Sequence, residues 1–130
     1  ALHTLVASMI AAAPGIRCLR DPTRGGLATT LNELAAQSGV GMTIDEAAIP
    51  VLPQVEAACE FLGLDPLYVA NEGKLVCICA PEDESHLLAA MRAHPLGARA
   101  VAIGTCEADE HRFVQMRTRF GGRRVVDWLS

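Results

Sequence analysis

Two short stretches carry residues whose types and spacing suit chemistry: "RDPTRGGLATTL" at residues 20–31 and "NEGK" at residues 71–74. In the first, Asp21 is a good helix N-cap, Pro22 suits the first helical position, and Thr23 can share the capping role. Those three need no function. Gly25 and Gly26 are different, because glycine within a helix costs about 1 kcal/mol relative to alanine. Two missing side chains in a first turn leave backbone N–H groups bare at the positive end of a helix, where a phosphate or carboxylate is well accommodated. Arg24 beside them can add a bidentate anion contact. A capped helix whose glycines only allow close backbone packing accounts for the same residues, and spacing alone leaves both accounts open.

In the second stretch, Asn71 and Gly73 are turn formers lying between two apolar runs, which makes a tight turn with two exposed charges the simpler account. Glu72 and Lys74 alternate about the glycine, an arrangement that can aim one of them into a cleft. A carboxylate held there serves as a general base where its surroundings raise its pKa.

The five cysteines, Cys18, Cys59, Cys77, Cys79 and Cys106, are odd in number and include no C-x-x-C pair. Free thiols of an intracellular, cytoplasmic protein are expected rather than a disulfide framework. Cys77 and Cys79 lie two apart on a predicted strand and so share a face, but that is poor zinc-ligand spacing. All five sit in apolar patterns and are expected to be buried and inert. His3, His86, His94 and His111 form no metal-binding spacing, so no metal site is expected. No nucleophile elbow, Walker A loop or dinucleotide fingerprint is present.

The surrounding pattern predicts the elements that must hold these stretches. Leu2, Leu5, Val6, Met9 and Ile10 predict an amphipathic helix ending before Pro14-Gly15. A short strand follows at 16–19, then a helix with Leu27, Leu31, Leu34 and Ala35 on one face, stopped by Gly39. "VGMTID" at 40–45 alternates as a half-buried strand. Pro50 and Pro53 bracket a turn before a short helix closed by Gly63. "LYVA" reads as extended, and "KLVCICA" at 74–80 as a strand covered on both faces. "EDESHLLAAMRAH" is a helix with acid at its start, closed by His94-Pro95. Strands are predicted in "ARAVAIGTC" and "RFVQMRT", and Gly121-Gly122 turns the chain toward "RRVVDWL". The economical architecture is a single α/β (α+β) domain over residues 1–130, a two-layer sandwich of helices on a sheet.

With 130 residues and 51% hydrophobic side chains, the chain can bury a core of its own. A formal net charge of −4 speaks against nonspecific nucleic-acid binding, which needs a basic face. The apolar opening is too short to span a bilayer and lacks the basic flank of a signal peptide. No membrane or nucleic-acid partner is therefore expected. The start on Ala1 within a predicted helix suggests a piece of a longer protein.

"RDPTRGGLATTLNELA", "GLDPLYVANEGKLV" and "HPLG" with a following "AIG" together resemble the C-terminal domain of the HypE family of hydrogenase maturation proteins, within the aminoimidazole ribonucleotide (AIR) synthetase superfamily. The glycine-rich turn is general to that superfamily, while "DPTRGGL" with "VANEGK" points to HypE. The resemblance implies an α/β domain with a mixed, largely antiparallel sheet covered by helices. It also implies an N-terminal domain that supplies most of the ATP and Mg2+ site and a homodimer interface, leaving no cofactor for this piece alone. A C-terminal cysteine is carbamoylated by HypF and then dehydrated with ATP to a thiocyanate, whose cyanide passes through HypC–HypD to the iron of [NiFe] hydrogenases. On this resemblance Glu72 is the candidate base with Asn71 positioning. Asp21, Thr23, Arg24, Gly25, Gly26 and Lys74 face the nucleotide or the tail. The family's N-terminal domain and its terminal cysteine tail are not in the sequence, so the isolated domain is expected to be inactive and no other cysteine stands in for the missing one. Another ATP-using member of the superfamily, of the selenophosphate or AIR synthetase type, and a noncatalytic docking domain are the alternatives.

Overall fold

The structure is a computed structural model that describes residues 2–13, 15–20, 26–51, 53–62, 67 and 75–127. The chain forms two compact units, one from Ala1–Asp21 with Gly73–Ala102, the other from Pro22–Glu72 with Ile103–Ser130.

In the first unit, helix α1 (Leu2–Ala12) leads into strand β1 (Ile16–Arg20), and strand β3 (Val76–Cys79) leads into helix α4 (Glu84–Ala93). Leu5, Met9 and Ala13 recur every four residues, so they line one side of α1, and with Leu87 of α4 they form the core. Ile16, Leu75, Cys77, Cys79 and Met91 pack against it, so Cys77 and Cys79 do share a face. β1 and β3 pair antiparallel as a two-stranded ribbon, with Ile16 opposite Cys79 and Arg20 opposite Val76. β3 is half-buried along its length, and not covered on both faces as its apolar run predicts, with β1 its one partner among the described strands. A 3-10 turn at Pro81–Asp83 opens α4, which ends at His94 in an extended conformation, as a residue before proline prefers. The His94 Nδ1 accepts a hydrogen bond from the Leu96 N–H at 3.1 Å.

In the second unit, helix α2 (Gly26–Ser38) is followed by strand β2 (Val40–Asp45), helix α3 (Pro53–Leu62) and strands β4 (Gly104–Ala108), β5 (Val114–Arg117) and β6 (Arg123–Val125). Gly39 ends α2 with φ +68°, the left-handed turn a glycine takes just past a helix. The sheet order is β4-β2-β5-β6, with β2–β5 parallel and the β2–β4 and β5–β6 pairs antiparallel. With β1–β3, the pairing is largely antiparallel in a mixed α+β fold, as expected, although the described strands form two sheets.

α2 packs on β2 and β5. Ala28, Leu31, Leu34 and Ala35 of α2, Met42 and Ile44 of β2 and Val114 and Met116 of β5 are all buried, while Leu27 is only half-buried. The alternation expected of β2 fails at its centre, where Gly41, Met42, Thr43 and Ile44 are all buried. β2 is an inner strand, and its polar-side positions are covered too. The Asp109 side chain lies over Gly41, and the Thr43 Oγ1 donates to the Glu107 Oε1 at 2.7 Å. β4 starts later than predicted, because Pro95–Gly97 forms a 3-10 turn and the Arg92 Nε holds the Ala100 carbonyl at 3.0 Å.

Candidate functional site

The two candidate stretches hang from the β1–β3 ribbon. β1 ends at Arg20, immediately before Asp21, and β3 starts at Val76, two residues after Lys74. Arg20 and Val76 are register partners. The antiparallel pairing therefore sets Arg20, the last described residue before the first stretch, opposite Val76, which closely follows the second. Sequence spacing could not show this, since some fifty residues separate the stretches. Asp21, Thr23, Arg24, Gly25, Asn71, Glu72 and Lys74 themselves lie outside the described residues.

Gly26 is described, and it is the buried first residue of α2 with φ +67°. A side chain in the left-handed region costs roughly 1–2 kcal/mol, so the backbone path alone favours glycine at this position. Gly26→Ala is expected to destabilise the protein by about that amount, read as a lowered midpoint of thermal unfolding. An unchanged midpoint would show that the left-handed turn is not kept.

The first turns of α2 are tied down by polar groups that its apolar pattern does not announce. The Thr30 Oγ1 donates to the Gly26 carbonyl at 3.2 Å. The Asn32 Nδ2 donates both to the Ala28 carbonyl at 2.9 Å and to the Val126 carbonyl at 2.8 Å. Both residues are buried, at 6% and 8% exposure. In the sequence they are two of the four polar residues of "GLATTLNELA", alongside Thr29 and Glu33, and nothing local marks them as the buried ones, since the partner of Asn32 lies 94 residues away.

The thiols divide. Cys59 is buried, Cys77 and Cys79 are half-buried, and Cys106 is exposed on β4, contrary to the expected burial. β4 is a sheet edge, and all five of its residues are exposed. Burial first, then the Asp83, Glu84 and Glu82 carboxylates, pushes the Cys79 thiol up from its ordinary value. Partial desolvation raises the Cys106 thiol as well, although the residue is exposed. Both therefore favour the protonated, unreactive form. The side chain of Cys18 lies outside the described residues. Among the described residues no three metal-ligating side chains come together, and no helix is long and apolar enough to cross a membrane.

Residues 1–117 match the family model described as "AIR synthase related protein, C-terminal domain". The chain is 74% identical over all 130 of its residues to the carbamoyl dehydratase HypE of Cupriavidus necator, of which it spans 37%. It superposes on a crystal structure of hydrogenase maturation protein HypE in complex with ATP with a TM-score of 0.92 and 44% identity, covering 98% of this chain and 40% of that one. A crystal structure of a HypE–HypF complex matches with a TM-score of 0.91 and 39% identity, over 97% and 41% of the two chains. The chain thus spans about two fifths or less of the length of these relatives.

Proposed function

This chain belongs to the AIR synthase-related C-terminal domain family, and from that premise we propose that it is the C-terminal part of an ATP-dependent carbamoyl dehydratase of the HypE type. The observation that carries the proposal is identity of 74% along the whole chain to a carbamoyl dehydratase. The similarity to a HypE that binds ATP supports ATP as the co-substrate. The similarity to one that assembles with HypF supports that carbamoyltransferase as the partner supplying the substrate group. The N-terminal domain of the same protein, a second copy of it, and HypC–HypD complete the proposed set of partners.

The reaction converts an S-carbamoyl cysteine at the C-terminus of the full-length protein into a thiocyanate. The carboxamide oxygen attacks the γ-phosphorus of ATP and ADP leaves. The C–O bond then breaks, phosphate departs with the oxygen, and the nitrile forms as nitrogen loses both of its protons. ATP and the carboxamide become ADP, phosphate and thiocyanate, with no further reactant. Loss of protons from nitrogen calls for a positioned base, the role of Glu72, with Asn71 orienting the amide. The charge moving with the phosphoryl group calls for donors already in place. Thr23, Arg24, Lys74 and the amides of Gly25 and Gly26 supply them, with Asp21 orienting Arg24; α2 begins only at Gly26, whose left-handed backbone rules out Asp21 as its cap. The register of Arg20 with Val76 supports grouping these residues, since the first precedes one stretch and the second closely follows the other. Mg2+ accompanying the ATP would be held mostly by the N-terminal domain.

The test uses the full-length protein, carbamoylated by HypF and then given ATP. The intact protein is expected to lose the mass of one water and to release one phosphate per chain. Phosphate release without loss of water would overturn the reading.

A further inference from the structure

Asn32 is hard to explain by packing alone. It lies on the buried side of α2 among Ala28, Leu31 and Ala35, where a leucine of the same branched shape would suit the apolar surroundings. An amide is costly to bury unless its donors find acceptors. Here both Nδ2 protons are used, one on the Ala28 carbonyl within the helix and one on the Val126 carbonyl just past β6. Val126 is 1% exposed, and its own N–H donates to the Val114 carbonyl at 2.7 Å. The peptide groups on both sides of Val126 are therefore held, the N–H by β5 and the carbonyl by Asn32. Asn32 is thus a pin between the helix that begins at Gly26 and the point where the chain leaves the sheet.

We infer that Asn32 is a positioning residue that sets where the C-terminal segment of the full-length protein departs relative to α2, and so how its terminal cysteine reaches the bound ATP. The inference rests on the tail-dehydration reading above. A tail tethered at a fixed origin reacts as a unimolecular partner, and a displaced origin lowers the fraction of tails in reacting geometry.

The experiment measures single-turnover water loss from the carbamoylated full-length protein, with the rate followed as ATP is varied. Asn32→Leu keeps the branched shape and removes both donors. It is expected to lower the rate at saturating ATP about tenfold or more, while the half-saturating ATP concentration stays within about twofold. Asn32→Gln keeps both donors one methylene out of place and is expected to fall between Asn32→Leu and the parent. Should the leucine variant fail to fold, the glutamine variant decides by the same split between rate and ATP dependence. An unchanged rate in folded variants overturns the inference. So does a rate loss matched by weakened ATP saturation, which would place the effect on the loop or on the fold at large. Absence of ATP-dependent water loss in the parent overturns the functional reading itself, an outcome separate from either of these.

Discussion

Glu72→Ala in the full-length protein is expected to leave carbamoylation by HypF intact and to slow ATP-dependent dehydration by about 10²–10⁴-fold, the usual contribution of a positioned general base. The two steps separate because carbamoyl transfer to the tail thiol needs no proton taken from the carboxamide nitrogen. Forming the nitrile needs both of its protons removed. Intact-protein mass spectrometry distinguishes the outcomes directly: the variant should accumulate as the carbamoylated species, one water heavier than the thiocyanate product. Glu72→Gln preserves size and hydrogen bonding while removing the base, so it should be as slow as the alanine variant. Dehydration at the parental rate in either variant would remove Glu72 from the base role.

Leu34→Ala is expected to cost about 2–5 kcal/mol of stability, among the largest single losses available in this chain. Leu34 is 1% exposed on α2, which packs on β2 and β5, so truncation leaves a cavity that the surrounding strands can close only in part. The half-buried Leu27 is seven residues earlier on the same helix, and Leu27→Ala should cost distinctly less. Urea unfolding of the two variants beside the parent tests the ranking. Equal losses would mean that α2 is seated differently on its sheet. The comparison also bears on function, because a pure stability effect should leave the dehydration rate per folded molecule unchanged.

Much of this protein was legible in its residues. The period of Leu5, Met9 and their neighbours, the glycine after Ser38 and the proline after His94 set helix identities and ends that the structure keeps, because those signals act within one or two turns of chain. An α+β alternation of helices and strands was legible for the same local reason, whereas the largely antiparallel sheet came only from the family resemblance. The failures are all nonlocal. Alternation in 40–45 implies one buried face, but an inner strand between β4 and β5 with Asp109 folded over it buries both. The apolar run before Ala80 implies two covered faces, but all four residues of β3 are only half-buried, because what covers a strand comes from distant segments. Cys106 reads as core by composition and is exposed because β4 lies at an edge.

The residues by themselves determined which groups are available for chemistry, a glycine pair beside Arg24 and the Glu72 carboxylate, because chemical type is a property of the side chain. Only the tertiary structure decided that Arg20 stands opposite Val76, although 55 residues lie between them. It alone showed that Gly26 takes φ +67° and that Asn32 reaches a carbonyl 94 residues away. Strand register, the sign of a backbone angle and the partner of a buried amide all depend on where distant chain segments come to lie, and no local pattern encodes that.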